Sequence, residues 1–339
     1  MNIEKKKIKI NFVDFWSAFD PQDNFILDML NNHYEIEISN NPDFVFCSCF
    51  GFEFLKYKCP RILFIFENVT PDFSLYDYIV GFDWIEYEDR YLRFPLYAVS
   101  NYRMMFKKAA SKHENMKITV PDKFCNFVVS NADNSQNCRE AFFNMLSKYK
   151  TVDSGGRFLN NVGGPVPDKY EFQKDYKFSI AFENTEAVGY TTEKIIEAWA
   201  AGTIPIYWGN PKIGREFNTK AMINCYEYNN LEEVCNRIHE IDSNDELYKK
   251  IISEPIFNTE SLGRNYLNLD LLENYFVHIL NQSSEKAFRR IFRRKGFDHS
   301  EEAIKMYYIW RRRPSEMVKK LFPDSLKIKL KNKFRIGKI

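Results

Sequence analysis

The sequence predicts an α/β protein with two Rossmann-like domains, because β-rich runs alternate with helical stretches in two successive series. Its 339 residues also exceed one ordinary domain, which usually contains ~100–200 residues. Hydrophobic residues make up 45% and charged residues 28% of the chain, which excludes a disordered or fibrous protein. We expect a first domain over residues 1–120, a second over 121–285 and a basic tail over 286–339.

The first series contains four strand-like runs and one helical run. The strand-like runs are residues 8–16, 34–39, 43–50 and 61–68, and the helical run is 24–33. Strands interleaved with short helices indicate a parallel sheet that is covered on both faces. The last run, RILFIFEN, carries Glu67 near its carboxyl end.

The second series begins near residue 120. Its strand-like runs are residues 124–132, 176–184 and 203–209, and its helical runs are 138–149 and 193–202. Thr191 or Thr192 is the expected N-cap of the second helix, so Glu193 and Lys194 fall in its first turn. Free N–H groups and the helix dipole favour an anion at that position.

Cysteine and histidine spacing argues against a metal site or a disulfide framework. The seven cysteines are scattered with no C-x-x-C, and the five histidines lie far apart. Reduced thiols of this kind are typical of a cytosolic chain. We therefore expect no metal, no required cofactor and a cytoplasmic location.

No run of ~20 apolar residues occurs, so we expect no membrane-spanning segment. The short apolar run near the first residue is interrupted by Lys9, Asn11 and Asp14, which argues against a secretory signal.

Positive charge is concentrated in the last part of the chain. Residues 286–339 contain 18 Lys plus Arg against 5 Asp plus Glu, whereas the remainder is net negative. In this tail Phe288, Ile291 and Phe292 recur at helical spacing among arginines that include Arg289 and Arg290. Such a helix favours peripheral attachment to an anionic membrane, here the inner face of the cytoplasmic membrane. The alternative is a solvated basic tail that touches nucleic acid non-specifically; we expect no specific nucleic-acid partner.

One long segment carries a family resemblance. Residues 181–211, AFENTEAVGYTTEKIIEAWAAGTIPIYWGNP, resemble the signature of the α-1,3/4-fucosyltransferase family. The similarity extends to residues 65–97, 128–142 and 152–164, and covers roughly 60–285. It implies the GT-B fold, in which two Rossmann-like domains face a cleft, and an inverting transferase with GDP-fucose as donor. The chain has no D-x-D motif, which fits a design that holds the diphosphate through basic side chains and helix N-termini.

The resemblance assigns roles to individual residues. It places Glu67 as the general base, Arg139 on the donor diphosphate, and Tyr190, Glu193 and Lys194 on the rest of the donor. We count Glu193 with Glu67 as catalytic. The further donor-site candidates that it implies are Asn184, Ser130 and Asn131.

General chemistry supports these roles, because an inverting transfer needs a carboxylate for the hydroxyl proton and cations for the leaving diphosphate. Ligands bind at the carboxyl ends of parallel strands, so the two domains can bring these groups to one cleft.

We expect fucose transfer to the 3-hydroxyl of N-acetylglucosamine in N-acetyllactosamine-type acceptors, as in Lewis-type surface glycans, with the 4-hydroxyl left open. Two alternatives remain: a GT-B transferase that uses another GDP-sugar, and a non-catalytic relative that binds glycan or nucleotide. The joint presence of Glu67, Arg139, Glu193 and Lys194 argues against the non-catalytic alternative.

Overall fold

The computed structural model describes residues 5–99, 102–111, 118–130, 138–290, 302–304 and 306–307. These residues form two parallel β-sheets with helices packed around them, which confirms the predicted α/β class. Within the described ranges, no helix combines the length and the apolar character needed to cross a bilayer.

The first sheet has the strand order β2-β1-β3-β4-β5-β6, and all of its strand pairs are parallel. Its central strands β3 and β4 are buried along their whole length, as expected for a sheet covered on both faces. The strands are β1 (Lys6–Val13), β2 (Tyr34–Ile38), β3 (Phe44–Ser48), β4 (Arg61–Phe64), β5 (Tyr78–Gly81) and β6 (Tyr91–Arg93).

The second sheet has the order β11-β10-β9-β7-β8 and is also parallel. Its central strand β9 is buried at every position. The strands are β7 (Lys123–Phe127), β8 (Val152–Ser154), β9 (Tyr176–Phe182), β10 (Ile204–Trp208) and β11 (Ile223–Asn224).

The helices pack around these two sheets. Several of them begin with an asparagine, aspartate or serine whose side chain accepts a hydrogen bond from a first-turn N–H group. They are α1 (Phe25–Asn31), α2 (Tyr102–Ala110), α3 (Cys138–Ser147), α4 (Lys169–Gln173), α5 (Glu193–Ala200), α6 (Leu231–Asp242), α7 (Asp245–Ile252), α8 (Asp270–Leu280) and α9 (Ser284–Ala287).

Two helices cross between the domains. Helix α8 packs on the first sheet, where the Phe276 ring lies 5.5 Å from Phe46 and 5.6 Å from Phe64. Helix α2 instead packs on α5 of the second domain, and its Phe106 lies 6.4 Å from Phe217. As limits of independent folding, the boundaries at residues 120 and 285 remain predictions. The packing of α2 and α8 crosses these boundaries, because the apolar face of each helix is buried against the core of the other domain.

The residues after α8 are also bound to the first domain. Helix α9 ends at Ala287, and Phe288 has an extended backbone. Asp77, which is fully buried, accepts the backbone N–H groups of Arg289 at 2.7 Å and Arg290 at 3.0 Å, and pairs with the Arg290 guanidinium.

The prediction that Phe288, Arg289 and Arg290 belong to a helix lying on an anionic surface is therefore wrong. A buried carboxylate needs a paired cation, and Arg290 pairs with Asp77 in the first domain. The rest of the predicted tail lies outside the described residues, apart from residues 302–304 and 306–307.

Candidate active site

The amino-terminal end of α5 lies beside a buried carboxylate. Thr192 is the N-cap, as predicted, but its hydroxyl does not cap the helix. The hydroxyl donates instead to Glu183 at 2.6 Å, and the Thr192 N–H donates to the same carboxylate at 2.7 Å. The N-cap side chain of α5 therefore makes no hydrogen bond to the first-turn N–H groups, an arrangement suited to an anionic ligand.

Glu183 is the functional residue that the sequence reasoning missed. It directly follows β9, is fully buried and lies 3.2 Å from the Lys194 Nζ. Gly209, at φ +147°, packs so closely that a Cβ there would lie 2.3 Å from the Glu183 Cγ. The two motifs F-E-N and Y-W-G are thus in contact. In the sequence they appear only as two separate short motifs within the family signature, with nothing to indicate that they touch.

Lys194 and Glu193 remain charged in the folded protein. Burial alone would raise the pKa of Glu193, but Lys194 and Lys169 outweigh it and lower the pKa to about 2. Burial alone would lower the pKa of Lys194, but Glu183 and Glu193 raise it above its ordinary value. The ammonium group and the carboxylate, 3.1 Å apart, thus each stabilise the charged form of the other.

Arg139 provides a second cation from the first turn of α3. Its side chain is buried, and its Nη2 donates to the Phe182 carbonyl at 2.5 Å. Its Nε and Nη1 have no hydrogen-bond partner among the described residues. Because buried guanidinium N–H groups are normally paired, these two free donors fit the diphosphate that the resemblance assigns to this residue.

Tyr190 joins the two domains. Its ring is buried and packs against Phe82 of the first domain at 5.0 Å. Burial, followed by the charge of Glu183, raises the pKa of the Tyr190 hydroxyl, which therefore remains protonated. Tyr190 is thus a packed aromatic residue whose hydroxyl lies near the charged groups.

Glu67 faces these groups from the first domain. Strand β4 ends at Phe64, so Glu67 lies in the loop that follows the strand. Its side chain is open to solvent. Partial desolvation raises the pKa of Glu67; Lys194 opposes this rise, and Glu193 and Glu183 add to it. The carboxylate thus lies within electrostatic reach of Lys194 across the cleft.

The neighbouring residue closes the cleft at one point. Asn68 Nδ2 donates to the Thr185 hydroxyl at 2.6 Å, which links the loop after β4 to the loop after β9. The predicted donor-site residue Asn184 precedes Thr185 and is half-buried at the carboxyl end of β9.

The remaining two candidates lie after β7. Ser130 is exposed at the end of the segment that follows this strand, and Asn131 lies outside the described residues. The candidate residues that the structure describes therefore follow the carboxyl ends of β4, β7 and β9. Ligands of parallel sheets bind at this edge.

The part of the chain that the structure describes contains no group of three or more His, Cys, Asp or Glu residues able to hold a metal ion. The positive charge of the site comes from Lys194 and Arg139 instead.

Sequence profiles decide the family. Residues 10–100 match the alpha-(1,3)-fucosyltransferase FucT N-terminal domain, and residues 119–253 match glycosyltransferase family 10 (fucosyltransferase), C-terminal. The chain belongs to the family 10 fucosyltransferases. The alpha-(1,3)-fucosyltransferase FucT of Helicobacter pylori is 32% identical over 296 residues, a match to 74% of this chain and 61% of the relative. The chain thus spans less than two thirds of that relative's length.

Solved structures of the family share the fold. The crystal structure of an alpha1,3-fucosyltransferase with GDP-fucose is 27% identical, with a TM-score of 0.69 over 83% of this chain and 93% of that one. A structure of an alpha1,3-fucosyltransferase with GDP gives the same identity and TM-score. The predicted GT-B arrangement of two Rossmann-like domains is thereby confirmed.

Proposed function

We propose that this chain is an inverting α-1,3-fucosyltransferase that uses GDP-β-L-fucose as donor. The observation that carries the proposal is the buried Glu183–Lys194 pair at an uncapped helix N-terminus, beside an arginine with two free buried N–H donors. A diphosphate would accept hydrogen bonds from the free Arg139 donors and the helix N–H groups, and its charge is complementary to the Lys194 ammonium group. Structures of relatives that contain GDP-fucose and GDP support this choice of donor.

The reaction uses groups from both domains. The acceptor hydroxyl oxygen attacks C1 of fucose from the face opposite the diphosphate, and its proton passes to the Glu67 carboxylate. The bond between C1 and the β-phosphate oxygen breaks, and its electron pair leaves with GDP. Inversion at C1 converts the β-linked donor into an α-linked product. Lys194 and Arg139 stabilise the negative charge that develops on the leaving diphosphate.

Glu193 orients the donor side of the site. Its low pKa keeps a carboxylate beside Lys194 at neutral pH, where it can accept hydrogen bonds from sugar hydroxyls. Tyr190 and Asn184 complete the wall of the donor site in this proposal.

The acceptor in this proposal is a β-galactosyl-N-acetylglucosamine disaccharide of the N-acetyllactosamine type, as in Lewis-type surface glycans. Its support is the similarity to an alpha-(1,3)-fucosyltransferase. Two disaccharides discriminate the site of transfer: a β1,4-linked galactose leaves the 3-hydroxyl of N-acetylglucosamine free, and a β1,3-linked galactose leaves the 4-hydroxyl free.

The experiment incubates the purified protein with GDP-fucose and each disaccharide, and follows GDP release and the anomeric linkage by NMR. We expect an α-linked product from the β1,4-linked disaccharide and little GDP release without acceptor. Preferred turnover of GDP-mannose would favour another GDP-sugar, and GDP binding without product from any donor would indicate a non-catalytic relative.

A cytoplasmic location, with attachment to the inner face of the membrane through the basic segment after residue 290, is part of the same proposal. Residues 291–339 retain 15 Lys plus Arg against 5 Asp plus Glu. Each basic residue near an anionic surface contributes about 1 kcal/mol, so a few of them suffice for reversible binding.

A further inference from the structure

A second buried charge pair links the two domains away from Glu67 and Lys194. Arg93 ends β6 of the first sheet, and Glu216 follows β10 in the second domain. The Arg93 Nη2 lies 2.8 Å from the Glu216 Oε1, and their side chains are 8% and 0% exposed. Neither residue touches the donor groups directly, so the fucosyl-transfer scheme leaves this pair without a role.

Glu216 is bound on every side. It accepts hydrogen bonds from the Tyr97 hydroxyl at 2.7 Å, the Thr191 hydroxyl at 3.0 Å and the Asn210 amide at 2.9 Å. Asn210 in turn accepts the Gly189 N–H at 2.9 Å. The carboxylate therefore holds both ends of the short loop 189–191 that leads into α5.

Arg93 holds the same loop from the first domain. Its guanidinium donates to the Phe82 carbonyl at 2.8 Å, the Tyr266 hydroxyl at 2.9 Å and the Gly189 carbonyl at 3.3 Å. Gly189 has φ +87°, and a Cβ there would lie 2.6 Å from the Phe82 carbonyl oxygen. The loop backbone is thus pressed directly against the first domain.

A tryptophan completes the contact. The indole of Trp84, from the first domain, contacts two guanidinium groups, with Arg93 at 3.8 Å and Arg215 at 3.9 Å from its ring centroid. Since Arg215 belongs to the second domain, this cation–π stack also joins the domains.

The next residue along the loop reaches the donor site. Thr191 binds Glu216, and its neighbour Thr192 binds Glu183, the carboxylate that pairs with Lys194. A continuous series of contacts therefore runs from Arg93 in the first domain to the ammonium group of Lys194.

We propose that Arg93 and Glu216 are positioning residues, which hold loop 189–191 in the conformation that binds the donor diphosphate and tie that conformation to the first domain. The inference rests on the proposed function, because it concerns the same donor site. A buried ion pair commonly contributes little net stability, so an arrangement with this many specific contacts is better explained by the geometry that it imposes.

The test is a double-variant cycle on GDP affinity, measured by calorimetry without acceptor. Thr191→Val removes the hydroxyl that contacts Glu216 and keeps the side-chain volume. Arg93→Lys keeps the charge but cannot make all four contacts. Arg90→Lys is the matched control, since Arg90 is also buried and its hydrogen bonds to described residues stay within the first domain. It donates to the Asp77, Phe73 and Tyr76 carbonyls and to the Tyr87 hydroxyl.

We expect Thr191→Val and Arg93→Lys each to weaken GDP binding by about tenfold, which corresponds to the loss of one hydrogen bond to a charged group. Because both residues contact Glu216 and hold the same loop, the loss in the double variant should be smaller than the product of the two single losses. Arg90→Lys should lower the unfolding temperature but leave GDP affinity unchanged.

Multiplied effects, to about 100-fold in the double variant, would show that Arg93 and Thr191 act independently rather than on one shared loop, and would overturn the proposal. Unchanged GDP affinity in folded Arg93→Lys would do the same. Hydrogen exchange of amides 189–194 gives a second readout without GDP: faster exchange is expected in Arg93→Lys and not in Arg90→Lys. Failure of fucosyl transfer would appear separately, as GDP binding without product.

Discussion

The substitution Glu67→Gln distinguishes the proposed role of Glu67 as general base from a role in donor binding. The amide keeps the size of the carboxylate but cannot accept the acceptor proton, so we expect kcat to fall by about 10²–10⁴-fold, a loss of about 2.7–5.5 kcal/mol in transition-state stabilisation. GDP affinity should not fall. Glu67 lies near Glu193 and Glu183, so removal of its charge reduces the repulsion that an incoming diphosphate meets.

The pH profile gives a sharper form of the same prediction. A general base must be ionised, so kcat/KM should rise with pH through the pKa of Glu67 in the free enzyme. Partial desolvation raises that pKa above the ordinary 4.5, so the acidic limb of the profile should lie above 4.5. In Glu67→Gln this limb should disappear from the residual activity.

The assay measures initial rates of GDP release at saturating donor, together with GDP binding by calorimetry. Glu35→Gln is the matched control, because Glu35 is an exposed carboxylate on strand β2 of the same domain, and it should behave like the parent. Turnover of Glu67→Gln within a few-fold of the parent, or an unchanged acidic limb, would refute the assignment of the base.

Three further predictions concern the donor site and the chain after α8. Arg139→Ala and Lys194→Ala should each weaken GDP binding by about 1.5–3 kcal/mol, and unchanged calorimetric affinity in both would remove them from the site. Activity should persist in EDTA, because two side-chain cations neutralise the diphosphate; complete loss that is restored by a divalent metal would contradict this. A chain ending at Arg290 should lose salt-sensitive binding to anionic vesicles. A chain ending at Gln282 should be less stable by about 3–5 kcal/mol, because Asp77 loses its buried partner; equal stability of the two chains would show that Arg290 is dispensable.

The candidate site was predictable where short motifs coincide with secondary structure. The segment after β9 and the first turn of α5 are continuous in sequence, so Glu193 and Lys194 could be placed together from helix capping alone. Arg139 could be placed at a helix start in the same way, although its free Nε and Nη1 donors become visible only when its packing is known.

Glu183 illustrates the opposite case. In the sequence it is one acidic residue between Phe182 and Asn184, and the predicted donor-site residue was Asn184 instead. Its role depends on full burial and on the approach of Gly209, which follows β10. Local patterns contain no information about which residue of a distant strand covers a side chain.

The sequence by itself determined the α/β class, the two series of strands and helices, the family resemblance and the separation of charge along the chain, because these follow from periodicity, composition and contiguous motifs. Only the tertiary structure decided that α8 and residues 286–290 return to the first domain, that Arg290 is bound to Asp77 and that Arg93 meets Glu216. Each of these depends on a buried charge or an apolar face that finds its partner more than a hundred residues away, and such pairings are selected by the free energy of the whole packed molecule.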